Sequence, residues 1–325
     1  MSMYPVPIKV AVSIGAPRAP FKLACVCLVF FCIFTRHELS LAMDHFLIKE
    51  GKTVYGKVLE VKVKEGETLL DIARQYDLGY NQIIAANPSI DPWTPPKGAK
   101  ILVPKIFVLP SFRPPTGILV NLAEMRLYFF GEQTSSGQHL YTSPVGVGRE
   151  GFTTALGVYT VLSKAKNPVW VVPPSVKKEE PDLPDRVPPG PENPLGGYII
   201  RFSRLQYGIH GTNRPWGVGR RVSHGCIRLY PEDIAQLFPL VPVGALIQID
   251  FQPIKAGWDV DTGQCWLQVF YDYEGKVKDP LAEALLAVDL CEQALGPLDI
   301  DLMAIKEAVK QMSGVPRVIA HVAQD

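Results

Sequence analysis

His210-Gly211-Thr212 and, ten residues on, Ser223-His224-Gly225-Cys226-Ile227-Arg228 form the stretch from which the rest of the chain is read. A histidine stands sixteen positions before a cysteine that ends a Ser-His-Gly-Cys turn. A thiol needs a base to take its proton, and histidine is the side chain that titrates near neutrality. His210 is therefore the expected base and Cys226 the expected nucleophile. Gly225 has no Cβ, so the backbone can turn sharply and leave the sulfur exposed. Such a turn also aims backbone N–H groups, here those near Gly225 and Cys226, at one point, as an oxyanion site requires. Ile227 should anchor the turn in the core, and Arg228 offers a fork for a carboxylate.

These residues resemble the active-site signature of the L,D-transpeptidases, the YkuD-type catalytic domain of bacterial cell-wall enzymes. That signature reads His, a spacer of this length, Ser or Thr, His or Ser, Gly, Cys, an aliphatic residue, then Arg or Asn. The match covers His210, Ser223, His224, Gly225, Cys226, Ile227 and Arg228. The resemblance implies that Cys226 attacks, that His210 is its base, and that the carbonyl of Gly211 orients the imidazole. His224 stands where the family also accepts Ser, which implies a structural hydrogen-bonding role. The implied donor is a peptidoglycan tetrapeptide stem with a diamino acid third and D-Ala fourth. The acceptor stays open: another stem peptide, the lysine of an outer-membrane lipoprotein, or water, which would make the protein an L,D-carboxypeptidase. A non-catalytic peptidoglycan-binding protein is a third reading, and the intact signature opposes it. No metal or organic cofactor is implied. Arg228 is expected either to hold the donor's carboxylate or to form a structural ion pair.

Around the motif the pattern is that of short strands. Ile118–Leu122 and Arg126–Phe130 flank Ala123-Glu124 as a hairpin, and Leu140–Val147, Gly157–Ser163, Tyr198–Phe202, Tyr207–His210 and Ala245–Ile249 follow. Tyr230–Phe238 reads as a short helix with Pro231 in its first turn. Residues 117–251 thus fit the mainly β, sandwich-like catalytic fold that the resemblance implies. Residues 164–197 carry many prolines, together with Trp170 and the run from Gly190 to Gly196. Long irregular segments inside compact domains are commonly functional. We read this one as a lid over the cleft, with Trp170 a candidate substrate contact.

Upstream, residues 57–105 read strand, helix, helix, strand. Thr68 can cap the helix that begins at Leu69, and Pro88 ends the second helix. VKEGETLLDIARQY, IIAANP and KGAKILVP are similar to a LysM domain, which implies binding of N-acetylglucosamine-containing glycan strands. Gly66, Thr68 and Asn87 lie where that family holds its groove. Prolines at 104, 110, 114 and 115 make 106–116 an expected semi-rigid linker between separable modules. Residues 252–325 predict an α/β extension with a strand near Trp266–Tyr271 and helices over 281–294 and 302–312.

At the start, Lys9, Arg18 and Lys22 precede the apolar run Leu23–Phe34, and Ser40 and Ala42 are small residues at the −3 and −1 positions of a cleavage site. That run has the length of a signal h-region and falls short of the ~20 residues of a spanning helix. Residues 1–42 are expected to be an export signal, with an uncleaved anchor as the alternative, and the implied compartment is the periplasm. Cys25, Cys27 and Cys32 would leave with the signal. Cys226, Cys265 and Cys291 would remain, an odd number that predicts at least one thiol. Cys265 and Cys291 can pair or stay buried. The 33 basic and 32 acidic residues give a net charge of +1 with no basic run, so nothing favours a nucleic-acid partner.

Overall fold

The computed structural model describes residues 43–202 and 207–323. The expected export signal, with its three cysteines, lies outside the described residues. A nine-stranded mixed sheet dominates. Its strands run in the order Asp44–Ile48, Gly137–Pro144, Arg126–Thr134, Gly117–Asn121, Leu246–Asp250, Gly157–Lys166, Tyr198–Phe202, Gly208–His210 and Ile227–Arg228. The hairpin at Ala123-Glu124 pairs Ile118 with Phe129 and Val120 with Leu127. Every residue of Gly117–Asn121 is buried. This follows because both faces of the hairpin are covered, so its strands read as continuous apolar runs. Ile118, Val120, Leu127 and Phe129 face a core shared with Ile209, Ile227 and the helix Pro231–Leu240 through Ile234 and Leu237. Leu119, Tyr128 and Phe130 face the other way, onto Tyr55 and Leu109. The sheet curls around its helix, which makes the catalytic region mainly β.

The upstream unit has the expected βααβ order: Val54–Lys62, Leu69–Gln75, Tyr80–Ala86 and Lys100–Val108. Thr68 caps the first helix, its hydroxyl accepting from Asp71 N at 3.1 Å while Asp71 Oδ2 accepts from Thr68 N at 2.9 Å. The expected linker needs correction. Its first three residues, Ile106, Phe107 and Val108, continue the closing strand in register with Gly56, Tyr55 and Val54. Phe107, Val108 and Leu109 are each at most 1% exposed. Burial of these large side chains outweighs the extended preference of the nearby prolines. Pro104 sits within the strand opposite Val58, which a two-stranded ribbon tolerates because its outer edges are open.

The modules are consequently docked. Arg74 forms a two-pronged ion pair with Glu232 at 2.7 and 2.8 Å. Gly79 and Gly219 cross so closely that a Cβ on Gly219 would lie 2.4 Å from the Gly79 Cα. The extension is a four-stranded sheet under the helices Pro280–Leu295 and Leu302–Gln311, capped by Asp279 and Asp301. Cys265 and Cys291 form a disulfide inside its core, with Cα atoms 6.0 Å apart. Lys255 joins this extension to the catalytic hairpin. Its ammonium is fully buried, 2.6 Å from Glu124 and 2.7 Å from the Val108 carbonyl.

Candidate active site

The strands Gly208–His210 and Ile227–Arg228 run parallel, with Ile209 beside Ile227 and His210 beside Arg228. Side chains alternate along a strand. Ile209 and Ile227 enter the core, so His210, Arg228 and Cys226 stand on the other face. The sequence-predicted pair is thereby brought onto neighbouring strands. His210 is 3% exposed and Cys226 is half-buried, outside any disulfide. His210 Nδ1 lies 2.6 Å from the Gly211 carbonyl. A carbonyl only accepts, so Nδ1 carries the ring proton and Nε2 keeps its lone pair. That is the tautomer a base needs.

Ser223 builds the turn. Its buried hydroxyl donates to the Cys226 carbonyl at 2.6 Å and accepts from Gly225 N at 3.1 Å. The Gly225 N–H is thus committed to the turn, which corrects its expected part in an oxyanion site. Gly225 has φ +103°, and a Cβ there would meet Tyr207 Cε1 at 2.3 Å, so glycine is required twice over.

Burial first, then the charges of Arg228 and Arg201, pushes His210 down to about 3, against the raising effect of the Gly211 carbonyl. Burial pushes the Cys226 thiol up, while a hydrogen bond from the Gly208 backbone and the charges of Arg228 and Arg201 act the other way. Imidazole and thiol therefore rest neutral at physiological pH. Among the described residues, Arg201, Arg214 and Arg228 form no ion pair with a carboxylate.

The proline-rich segment is ordered into a short ribbon, Trp170–Val171 against Arg186–Val187, and a helix, Pro174–Glu179. Trp170 is half-buried opposite Val187. Asn193 holds the segment together: fully buried, it donates to the Pro168, Val187 and Pro188 carbonyls at 2.8, 3.3 and 3.1 Å. Glu179 ties the segment to the motif. It accepts from Arg149 at 2.5 and 2.7 Å and lies 3.1 Å from His224 Nε2. His224 also lies 3.0 Å from Arg149 and edge-on to Phe152. Sequence reasoning missed Arg149, Glu179 and Asn193. The charge of Glu179 and the amide of Asn193 within a proline-rich loop were the available signal, but Arg149 lies 30 positions and His224 45 positions from Glu179, and the partners of Asn193 lie up to 25 positions away.

The upstream candidates separate. Thr68 lines a cleft of about 250 Å³ with Asp71, Trp93 and, from the catalytic region, Trp216. Gly66 sits in an open turn at φ +75°. Asn87 is buried, bonded to the Ile83 carbonyl and to both backbone polar groups of Leu102 at 2.8 Å each. Its polar atoms are taken up by the fold, not offered to a ligand.

Residues 115–249 match the family model for the L,D-transpeptidase catalytic domain, and residues 61–104 match that for the LysM domain. A probable L,D-transpeptidase ErfK/SrfK of Salmonella typhimurium is 35% identical over 301 residues, covering 88% of this chain and 94% of the relative. The probable L,D-transpeptidase YbiS of Escherichia coli is 34% identical over 286 residues, covering 85% and 91%. Among solved structures, L,D-transpeptidase 3 of Mycobacterium tuberculosis is 21% identical, with a TM-score of 0.30 over 41% of this chain and 60% of that one.

Proposed function

Because the chain belongs to the L,D-transpeptidase family, an enzyme family, we propose that it transfers peptidoglycan stem peptides through a thioester at Cys226. One observation carries the reading: the Nδ1–H to Gly211 bond leaves Nε2 basic on the face that bears Cys226. His210 Nε2 takes the thiol proton as sulfur attacks the carbonyl between the third residue and D-Ala. The C–N bond breaks, the proton passes to the departing D-Ala amine, and a thioester remains. An acceptor amine then gives its proton to Nε2, attacks the thioester and restores the thiol. Resting neutral, the two groups exchange a proton during attack rather than storing an ion pair. The guanidiniums of Arg201, Arg214 and Arg228, which among the described residues form no ion pair with a carboxylate, suit the carboxylates of such a donor. The lid held by Asn193 and Glu179 excludes water, favouring an amine acceptor over hydrolysis. Export to the periplasm supplies the substrate, and the docked LysM unit orients the glycan strand. The test is mass spectrometry of tetrapeptide muropeptides incubated with the protein. Cross-linked product with loss of D-Ala is expected. Tripeptide alone would replace transfer with hydrolysis, and an unmodified Cys226 would sink the thioester.

A further inference from the structure

Where the upstream unit meets the catalytic helix, two carboxylic acids are buried together. Asp77 is 3% exposed and Asp233 is 1% exposed. Successive backbone N–H groups hold one each: Met43 N donates to Asp233 Oδ1 at 3.1 Å, and Asp44 N donates to Asp77 Oδ2 at 3.1 Å. Ser143 Oγ donates to Asp233 Oδ2 at 2.7 Å, whereas Asp77 Oδ1 has no donor. Asp44 adds a third carboxylate, paired with Lys105 at 2.6 Å. The remaining cation is Arg126, fully buried on the Asp77 carbonyl. Glu232 is matched by Arg74, and the Tyr230 hydroxyl donates to the Leu78 carbonyl. Three carboxylates therefore face two cations. A buried charge left without a partner is costly, and Asp77 and Asp233 also hydrogen-bond each other, so in the uncleaved chain a proton on Asp77 stands in for the absent positive charge.

Met43 itself is unusual. It is 2% exposed and has φ +37°, a left-handed conformation unfavourable for a non-glycine residue. That cost arises from the preceding carbonyl, which exists only while the bond to Ala42 is intact.

We infer that the chain is processed between Ala42 and Met43, and that the new α-ammonium of Met43 is the missing cation, clamped between Asp233 and Asp77. The inference rests on the export reading above. Cleavage precedes folding, hydrolyses one peptide bond, frees the φ constraint and turns an amide N–H into a charged donor at the same atom. Burial already pushes Asp233 up to about 6 and Asp77 well above the carboxylate range in the uncleaved chain, as expected for a site short of a cation. The clamp would fasten the upstream unit to the catalytic helix only after the leader has gone.

The test begins with the full chain exported in a bacterial host and the intact mass of the product. A mass beginning at Met43 is expected, and any other start overturns the inference. The processed protein is then compared with a form carrying one additional alanine before Met43, which restores an amide at that atom. At pH 7 the extended form should melt about 5 °C lower. A clamped ammonium has its pKa raised above the ordinary ~8, so its stabilisation is complete below that value and lost as pH rises through the folded one. The gap should close in strong alkali. Equal melting at pH 7 overturns the clamp. If the extended form does not fold, Asp233→Asn replaces it. That variant keeps an acceptor but no charge, so it should lose the alkaline transition, and its retention overturns the clamp. Muropeptide turnover is scored separately: a clamped but inactive protein would count against the transpeptidase reading alone.

Discussion

Ser223→Ala tests whether the hydroxyl, rather than the cysteine alone, makes the nucleophile. The change removes two hydrogen bonds at a fully buried residue and leaves the Gly225 N–H and the Cys226 carbonyl without that partner. An orphaned buried polar group costs about 1–3 kcal/mol, and the turn recovers part of it by relaxing, so a net loss of about 2–4 kcal/mol is expected. At about 2–3 °C per kcal/mol, melting should fall by about 5–10 °C, which leaves the protein folded at 25 °C. The catalytic loss should exceed this. Releasing the turn moves the sulfur relative to His210 Nε2, and displacement of about 1 Å costs roughly 100-fold. The assay is acylation of Cys226 by a tetrapeptide donor, followed as a mass shift, beside a thermal melt. Ser223→Thr keeps the hydroxyl and should restore most of the rate. Alanine acylating at the unsubstituted rate would refute the reasoning.

Other expectations follow from the same contacts. Cys226→Ala should abolish turnover, and His210→Ala should reduce acylation with a deficit that narrows in alkali, where the thiol ionises unaided; a deficit constant with pH would count against His210 as base. Because His210 has its ordinary 6.5 lowered to about 3, the unfolded chain binds a proton there that the folded chain refuses. Stability should therefore be full above about 6.5 and fall as pH drops toward 3, with a flatter slope for His210→Gln in acid unfolding. Glu179→Gln or Asn193→Ala should raise the ratio of hydrolysed to transferred product, read on a donor with an added amine; unchanged ratios would remove the lid from the mechanism. Lys255→Ala leaves Glu124 buried and unpaired and should cost about 3–5 kcal/mol in denaturant melts, whereas a change below ~1 kcal/mol would show the carboxylate finds another partner.

The strands of the large sheet and the βααβ order of the upstream unit were legible in the residues themselves. The His210 to Cys226 motif, the Thr68 cap and the hairpin around Glu124 are local patterns, specified by neighbours within a few positions or by fixed spacing. The apolar runs Ile118–Leu122 and Arg126–Phe130 read as the two strands of a hairpin, and the structure adds that both of its faces are covered. What sequence could not give was anything held by distant partners. Ile106–Val108 looks like linker because prolines flank it, yet packing of Phe107 and Leu109 makes it strand and core. Asn87 looks like a loop amide offered to a ligand, yet Leu102 takes up its donor and acceptor. Gly225 looks like an oxyanion donor until Ser223 claims its N–H. Arg149, Glu179 and His224 become one clasp, and Lys255 with Glu124 one buried pair, only when the chain brings them within hydrogen-bond reach. Spacing along the chain specifies which side chains share a face of an element. Which polar groups satisfy one another across elements depends on removing both from water, and that desolvation exists only in the folded state.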